Sequence, residues 1–193
     1  MARPRSEDKR NAILDAAVAE FARRGVWTTP TSAISKAAGV AEGTLFTYFA
    51  SKEVLVNELY RALKTELAEV LLADWPEAAD PRTKYRHTWD RYVHWGVDNP
   101  EKCKVVSQLK VSDQVSEESR VAGMAPFVRL EVLAEDCIRQ KLIRDRPLPF
   151  LGAMFGAMAE TTMVFVAQAT TPKDRLACCA AGFETFWQGV AVI

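Results

Sequence analysis

Apolar residues recur at helical spacing along most of the chain. Ile13, Ala17 and Phe21, joined by Leu14 and Val18, form an i, i+4, i+8 stripe. That stripe predicts a helix from about Ser6, its N-cap, to Arg24, with Gly25 as the stop. Thr29 then reads as an N-cap and Pro30 as a first helical residue, the position where a missing N–H costs least. The short helix they open runs to about Ala38, with Ile34 and Ala37 facing inward, and Gly39 ends it in the left-handed conformation. A three-residue break leads to a second short helix, about Glu42 to Phe49. Ser51 caps a long helix whose stripe is Val54, Leu55, Leu59, Leu63, Leu67, Val70 and Leu71. Beyond Trp75-Pro76 the pattern predicts helices at about 81–98, 101–110, 117–141 (bent at Gly123 or Pro126), 150–169 and 172–190. Alternating strand patterns are lacking, so the fold class is all-α.

Two short helices joined by a glycine turn, set between longer helices, outline a helix-turn-helix. In such a unit the second short helix lies in the DNA major groove and the first braces it. Val40, Leu45, Phe46 and Phe49 are the residues expected to hold that helix on its scaffold. Gly43 lets the backbone approach phosphate or base. Thr44 and Tyr48 carry hydroxyls for phosphate oxygens, and Lys52 adds a charge. Thr47 offers a methyl or hydroxyl to a base edge, and Glu42 either accepts from a cytosine amine or favours the helix N-terminus. Net charge is zero, yet residues 1–52 hold eight Lys/Arg against five Asp/Glu, and the rest 17 against 20. A basic N-terminal module on an acidic body follows. Arg3 and Arg5 suit either a minor-groove arm or a solvated basic tail.

Thr29 to Leu55 resembles the DNA-binding signature of the TetR/AcrR family of transcriptional regulators. The matching pieces are Ile34, Ala38-Gly39-Val40, Gly43 to Phe46, Tyr48-Phe49 and Ser51 to Leu55. Ala41 and Thr31 depart from the pattern; the first removes the usual Ser or Thr cap of the reading helix. The resemblance implies an all-α homodimer with an N-terminal three-helix DNA-binding domain and a C-terminal helical bundle that binds a ligand and dimerises. The division expected is 1–52, with a linking helix to about residue 75, and 53–193. By position, Thr44, Tyr48 and Lys52 fall where the family often contacts phosphate. Glu42, Gly43 and Thr47 fall on the base-facing side, Lys36 joins either set, and Thr29 belongs to the same DNA-binding group.

The body carries dense aromatics on its first helix. Tyr85, Trp89, Tyr92 and Trp95, with Phe127, Met154, Met158 and Thr162 opposite, are the candidate lining of a largely apolar effector pocket; a filled core is the alternative. The last two helices are rich in small and apolar residues, which suits a four-helix interface across a two-fold axis. Segment 147–171 is long enough for a membrane span, but Gly152, Gly156 and Gln168 dilute it, and a buried bundle helix is expected, with no membrane partner. Cys103, Cys137, Cys178 and Cys179 make no CxxC pair, and with His87 and His94 give no metal-ligand spacing. The N-terminus has no apolar h-region. The resemblance implies a repressor with operator DNA, a small-molecule effector and a second copy as partners; the residues add the expectation of a cytoplasmic protein without metal or cofactor, not an enzyme. A small all-α enzyme, a thiol-based sensor or a regulator without effector are the alternatives.

Overall fold

A computed structural model describes residues 6–192 of the chain. Arg3 and Arg5 lie outside the described residues. The helices are α1 (Glu7–Arg24), α2 (Thr31–Ala37), α3 (Glu42–Tyr48), α4 (Lys52–Leu72), α5 (Pro81–Asp98), α6 (Pro100–Lys110), α7 (Glu117–Met124), α8 (Val128–Arg139), α9 (Leu148–Gln168) and α10 (Pro172–Val190). Extended pairing among the described residues is confined to one bridge, Ile143 with Ala191. The helix expected over 117–141 is divided. A 3-10 turn at Ala125–Phe127 separates α7 from α8, because Pro126 has no N–H to donate and disfavours helical backbone just before it.

Starts and stops follow local chemistry. The Asp80 carboxylate accepts from Thr83 N at 3.1 Å, opening α5 ahead of Pro81. Hydrogen bonds from Thr83 hold that carboxyl below its ordinary pKa. Thr171 does the same for α10, accepting from Asp174 N at 3.1 Å, and Ser51 for α4, accepting from Val54 N at 3.2 Å. Gly39 has φ 66° with open space around it, so its left-handed backbone alone demands glycine.

The chain forms two compact units, each built from separate segments. The first is Met1–Thr65 with Pro100–Met124, and the second is Glu66–Asn99 with Ala125–Ile193. In the first unit Ile13, Ala17, Phe21, Val26, Ile34, Leu45, Phe49, Leu55 and Val56 are fully buried together with Val105 and Leu109 of α6. Each large side chain removed from water there is worth about 1.5–3 kcal/mol. In the second unit α5, α9 and α10 pack on one another around Trp89 and Phe183, both fully buried. Helix α9 is, among the described residues, the one helix long and apolar enough to cross a membrane by length and composition. One side of it packs on α5 and α10.

Candidate nucleic-acid interface

Helix α3 is fixed to the first unit by Leu45 and, just past its end, by Phe49, both with no exposed surface. Those two residues are four apart and share one face. The opposite face is open to solvent: Glu42, Gly43, Phe46, Thr47 and the following Ala50 are exposed, while Thr44 and Tyr48 are half-buried at its sides. Phe46 was expected to point inward. It is 43% exposed instead, because the step from Leu45 turns it about 100° around the helix, away from the core. Val40 is half-buried.

Each polar residue of this face has a definite setting. The Thr31 hydroxyl donates to Glu42 Oε1 at 2.9 Å, which ties the carboxylate to α2. Thr47 donates its hydroxyl to Gly43 O at 2.9 Å, leaving its methyl as a contact surface. A β-carbon on Gly43 would meet nothing within 4 Å; the space beside its backbone is free for a partner. The Tyr48 hydroxyl accepts from Ser6 N at 2.8 Å, joining α3 to the start of α1, and keeps its own proton to donate. Lys52 donates to Trp27 O at 3.1 Å and lies 6.0 Å from the centre of the Phe21 ring. Partial desolvation lowers its pKa. Lys36 is exposed at the end of α2.

Thr29 stands apart from this group. It is 1% exposed, and its hydroxyl donates to Gly25 O at 2.7 Å and to Glu20 O at 3.3 Å. It closes the end of α1 and does not cap α2, whose N-cap is Pro30. An open cleft of ≈ 530 Å³ runs beside α3, lined by Trp27, Thr28, Thr29, Pro30, Thr31, Phe46, Ala50, Ser51 and Lys52.

Helix α6 and the segment linking it to α7 hold the same unit, through residues that sequence reading did not single out. Gln108 Oε1 accepts from Val26 N at 3.0 Å. Trp27 Nε1 donates to Asp113 Oδ1 at 3.2 Å. Asn57 donates to Gln114 O at 2.8 Å and accepts from Ser116 N at 2.9 Å. Gln114 Oε1 is buried with no hydrogen-bond partner among the described residues. These pairs join positions far apart in sequence, and no local pattern marks them.

In the second unit, the candidate pocket residues separate into four places. Tyr85, Trp89, Tyr92 and Trp95 enter a cluster of rings with Phe155, Phe183, Phe186 and Trp187, with neighbouring centroids such as Trp89–Phe155 at 5.4 Å and Phe155–Phe186 at 5.1 Å. Their polar tips are satisfied: Trp89 Nε1 donates to Cys179 O at 3.1 Å, Tyr92 to Glu160 Oε1 at 3.2 Å and Trp95 to Glu66 Oε1 at 3.2 Å. Phe127 is buried in the 3-10 turn and Met154 is 40% exposed. Met158 and Thr162 line a separate, apolar groove of ≈ 450 Å³ between α9 and α10, with Ala157, Thr161, Phe165, Cys178, Ala181, Gly182 and Thr185. Packing beside it is close. A β-carbon on Gly182 would stand 2.3 Å from Thr162 Oγ1 and 2.9 Å from Trp89 Cζ2. No group of three or more His, Cys, Asp or Glu suited to a metal ion occurs among the described residues.

Residues 13–59 match the family model described as bacterial regulatory proteins, tetR family. The transcriptional regulator AcrR of Shigella flexneri is 26% identical over 151 residues, which cover 72% of this chain and 68% of that protein. A TetR family transcription regulator from Marinobacter aquaeolei VT8 superposes with a TM-score of 0.85 at 23% identity, over 97% of both chains. FadR from Bacillus subtilis, solved in complex with stearoyl-CoA, has a TM-score of 0.72 at 20% identity, over 93% of this chain and 98% of that one. The structural likenesses establish the fold, and the match at 13–59 contains the whole of α2 and α3.

Proposed function

We propose, from the premise that this chain belongs to the tetR family of helix-turn-helix transcriptional regulators and is a DNA-binding protein rather than an enzyme, that it is a dimeric cytoplasmic repressor which leaves a palindromic operator when a small effector binds its second unit. The observation that carries this reading is the outer face of α3. Glu42, Gly43, Phe46 and Thr47 are exposed together on a helix whose other face is fully buried. A two-fold dimer would set two such helices in successive major grooves, about 34–36 Å apart. Tyr48, Thr44, Lys52 and Lys36 stand beside that face as phosphate donors.

Dimerisation through α9 and α10 is supported by the apolar groove between them and by exposed Val164, Phe165 and Leu176 on the same two helices. A second copy would cover that surface and build a four-helix interface. The effector class to assay first is apolar or aromatic, and long-chain acyl thioesters lead it because the similarly folded FadR holds stearoyl-CoA. The effector lowers DNA affinity only by its differential affinity for the two states, and bound DNA lowers effector affinity by the same factor. The filled ring cluster around Trp89 favours a second reading, a regulator whose body serves dimerisation alone. A vicinal thiol sensor at Cys178-Cys179 fits poorly: burial, with Asp90 next to it, pushes the Cys179 thiol up to about 12, so it stays protonated and unreactive at neutral pH.

The test is a selection of binding sites from random duplex DNA with the full chain, followed by affinity measurements across salt concentrations. An enriched palindrome, bound with a steep salt dependence and lost in Tyr48→Ala, supports the regulator. Acyl-CoA that releases this DNA separates the effector reading from the dimerisation reading. A selection with no enriched sequence overturns both.

A further inference from the structure

The outer face of α3 has a chemical bias that bears on which bases it reads. Between Ala41 and Ser51 there is no Arg, Lys, Asn or Gln. Those are the side chains that pair bidentately with guanine or adenine in the major groove. What the face does present is the Glu42 carboxylate, the Phe46 phenyl ring and the methyl groups of Thr47 and Ala50. Phe46 is 43% exposed, and it follows Glu42 by one helical turn, as Thr47 follows Gly43.

The hydrogen bonds sharpen this inventory. Thr47 commits its proton to Gly43 O, so toward solvent it offers a methyl and acceptor lone pairs. Glu42 accepts from Thr31 at one oxygen and holds the rest of its lone pairs available. An ionised carboxylate accepts and never donates. In the major groove it matches the N4 amino group of cytosine, and it is repelled by the N7 and O6 acceptors of guanine. Adenine sets an N7 acceptor beside its amino group, so cytosine is the better partner. The phenyl and methyl groups match the C5-methyl of thymine, the one apolar group on a major-groove edge.

We infer that α3 reads its half-site through pyrimidine chemistry, with Glu42 selecting a cytosine amine and Phe46 and Thr47 packing on thymine methyls. Phe46 thereby becomes a specificity-determining residue. The inference rests on the operator-binding reading above.

The operator recovered by random-sequence selection is the probe. Each of its thymines is replaced in turn by deoxyuridine, which removes only the C5-methyl and keeps the pairing. At one or two positions per half-site the affinity is expected to fall about fourfold, the worth of one buried methyl. In Phe46→Ala the replacement at the thymine that Phe46 packs on costs nothing further, while a thymine held by the Thr47 methyl keeps its dependence. Because Phe46 is exposed, this variant is expected to keep its helix content, and Phe46→Leu, which retains an apolar contact, restores the methyl dependence. Repeating the selection with Glu42→Gln is expected to exchange cytosine for adenine at one position per half-site, since glutamine donates and accepts across the adenine edge. An operator bound tightly and with salt dependence but indifferent to every uracil, or a Glu42→Gln selection that keeps the same cytosine, overturns the inference and leaves the regulator standing. A selection that enriches nothing overturns the regulator and this inference with it.

Discussion

Ala41 stands at the N-cap of α3 with extended backbone, φ −66° and ψ 147°, and its side chain makes no cap hydrogen bond. A hydroxyl there would accept from one of the unpaired first-turn amides. Ala41→Ser is therefore expected to stabilise the protein by about 1 kcal/mol, read as a higher urea midpoint at unchanged slope. It is also expected to tighten operator binding, since a further hydroxyl then lies beside the DNA-facing surface. At Cys179 the expectation concerns reactivity. Only the thiolate is nucleophilic, and a thiol pushed up to about 12 by burial and Asp90 supplies almost none at pH 8. Iodoacetamide at that pH should leave Cys179 unmodified in the folded chain and alkylate it after denaturation, with mass spectrometry of the peptides as the readout. Equal labelling in both states would contradict the packing role. At this scale the sequence was a partial guide. The capless Ala41 and the left-handed Gly39 could be read from residue type, because both are local backbone properties. Phe46 could not, since two adjacent apolar residues on a seven-residue helix compete for one inward direction, and burial goes to Leu45 and Phe49.

Helices α6 and α7 belong to the DNA-reading unit by contact, though the whole of α4 and α5 separates them from α3 along the chain. Their hold is polar and specific. Asn57, itself 8% exposed, bonds to Glu53 O, Gln114 O and Ser116 N from the second turn of α4. Asn57→Ala strands a partly buried carbonyl and an amide at the start of α7. The expected cost is about 2–3 kcal/mol, from two lost non-local hydrogen bonds and their unpaired partners. Hydrogen exchange at the Ser116 amide should accelerate in step; unaltered protection there would show that the segment is held by other contacts. Helix positions and most ends were legible from apolar spacing, Pro and Gly, because these act within a few residues. The attachment of α6 and α7 was not, because it depends on Gln108 and Asn57 meeting backbone groups 82 and 57–59 residues away. The division of the expected 117–141 helix was legible only as a bend at Gly123 or Pro126; the structure breaks it with a 3-10 turn at Ala125–Phe127, in which Phe127 is buried.

For the whole molecule, the proposed dimer makes the deciding quantity how two reading helices act together. One short helix contacts too few base pairs for a specific site, whereas two linked heads multiply their affinities through effective concentration. Such linkage is worth a factor of about 10²–10⁴ without any new DNA contact. The small and apolar residues of the last two helices led the sequence to a four-helix interface across a two-fold axis; the groove between α9 and α10 was not legible there, because it depends on how the two helices pack. Ala181 lies exposed on that groove within one chain. Ala181→Arg therefore adds no strain to an isolated protomer, but in a dimer built on α9 and α10 it would bury an unpaired charge beside its own two-fold mate. The variant is expected to keep its helix content and thermal transition at low concentration, to sediment as a monomer, and to bind a full operator at least about a hundredfold more weakly. Its affinity for a single half-site should match that of the unaltered chain, because Glu42, Phe46 and Thr47 are unchanged. A variant that stays dimeric with full operator affinity would place the two-fold on another surface; one that stays dimeric yet loses the operator would mean that Ala181 affects the spacing of the heads rather than their association.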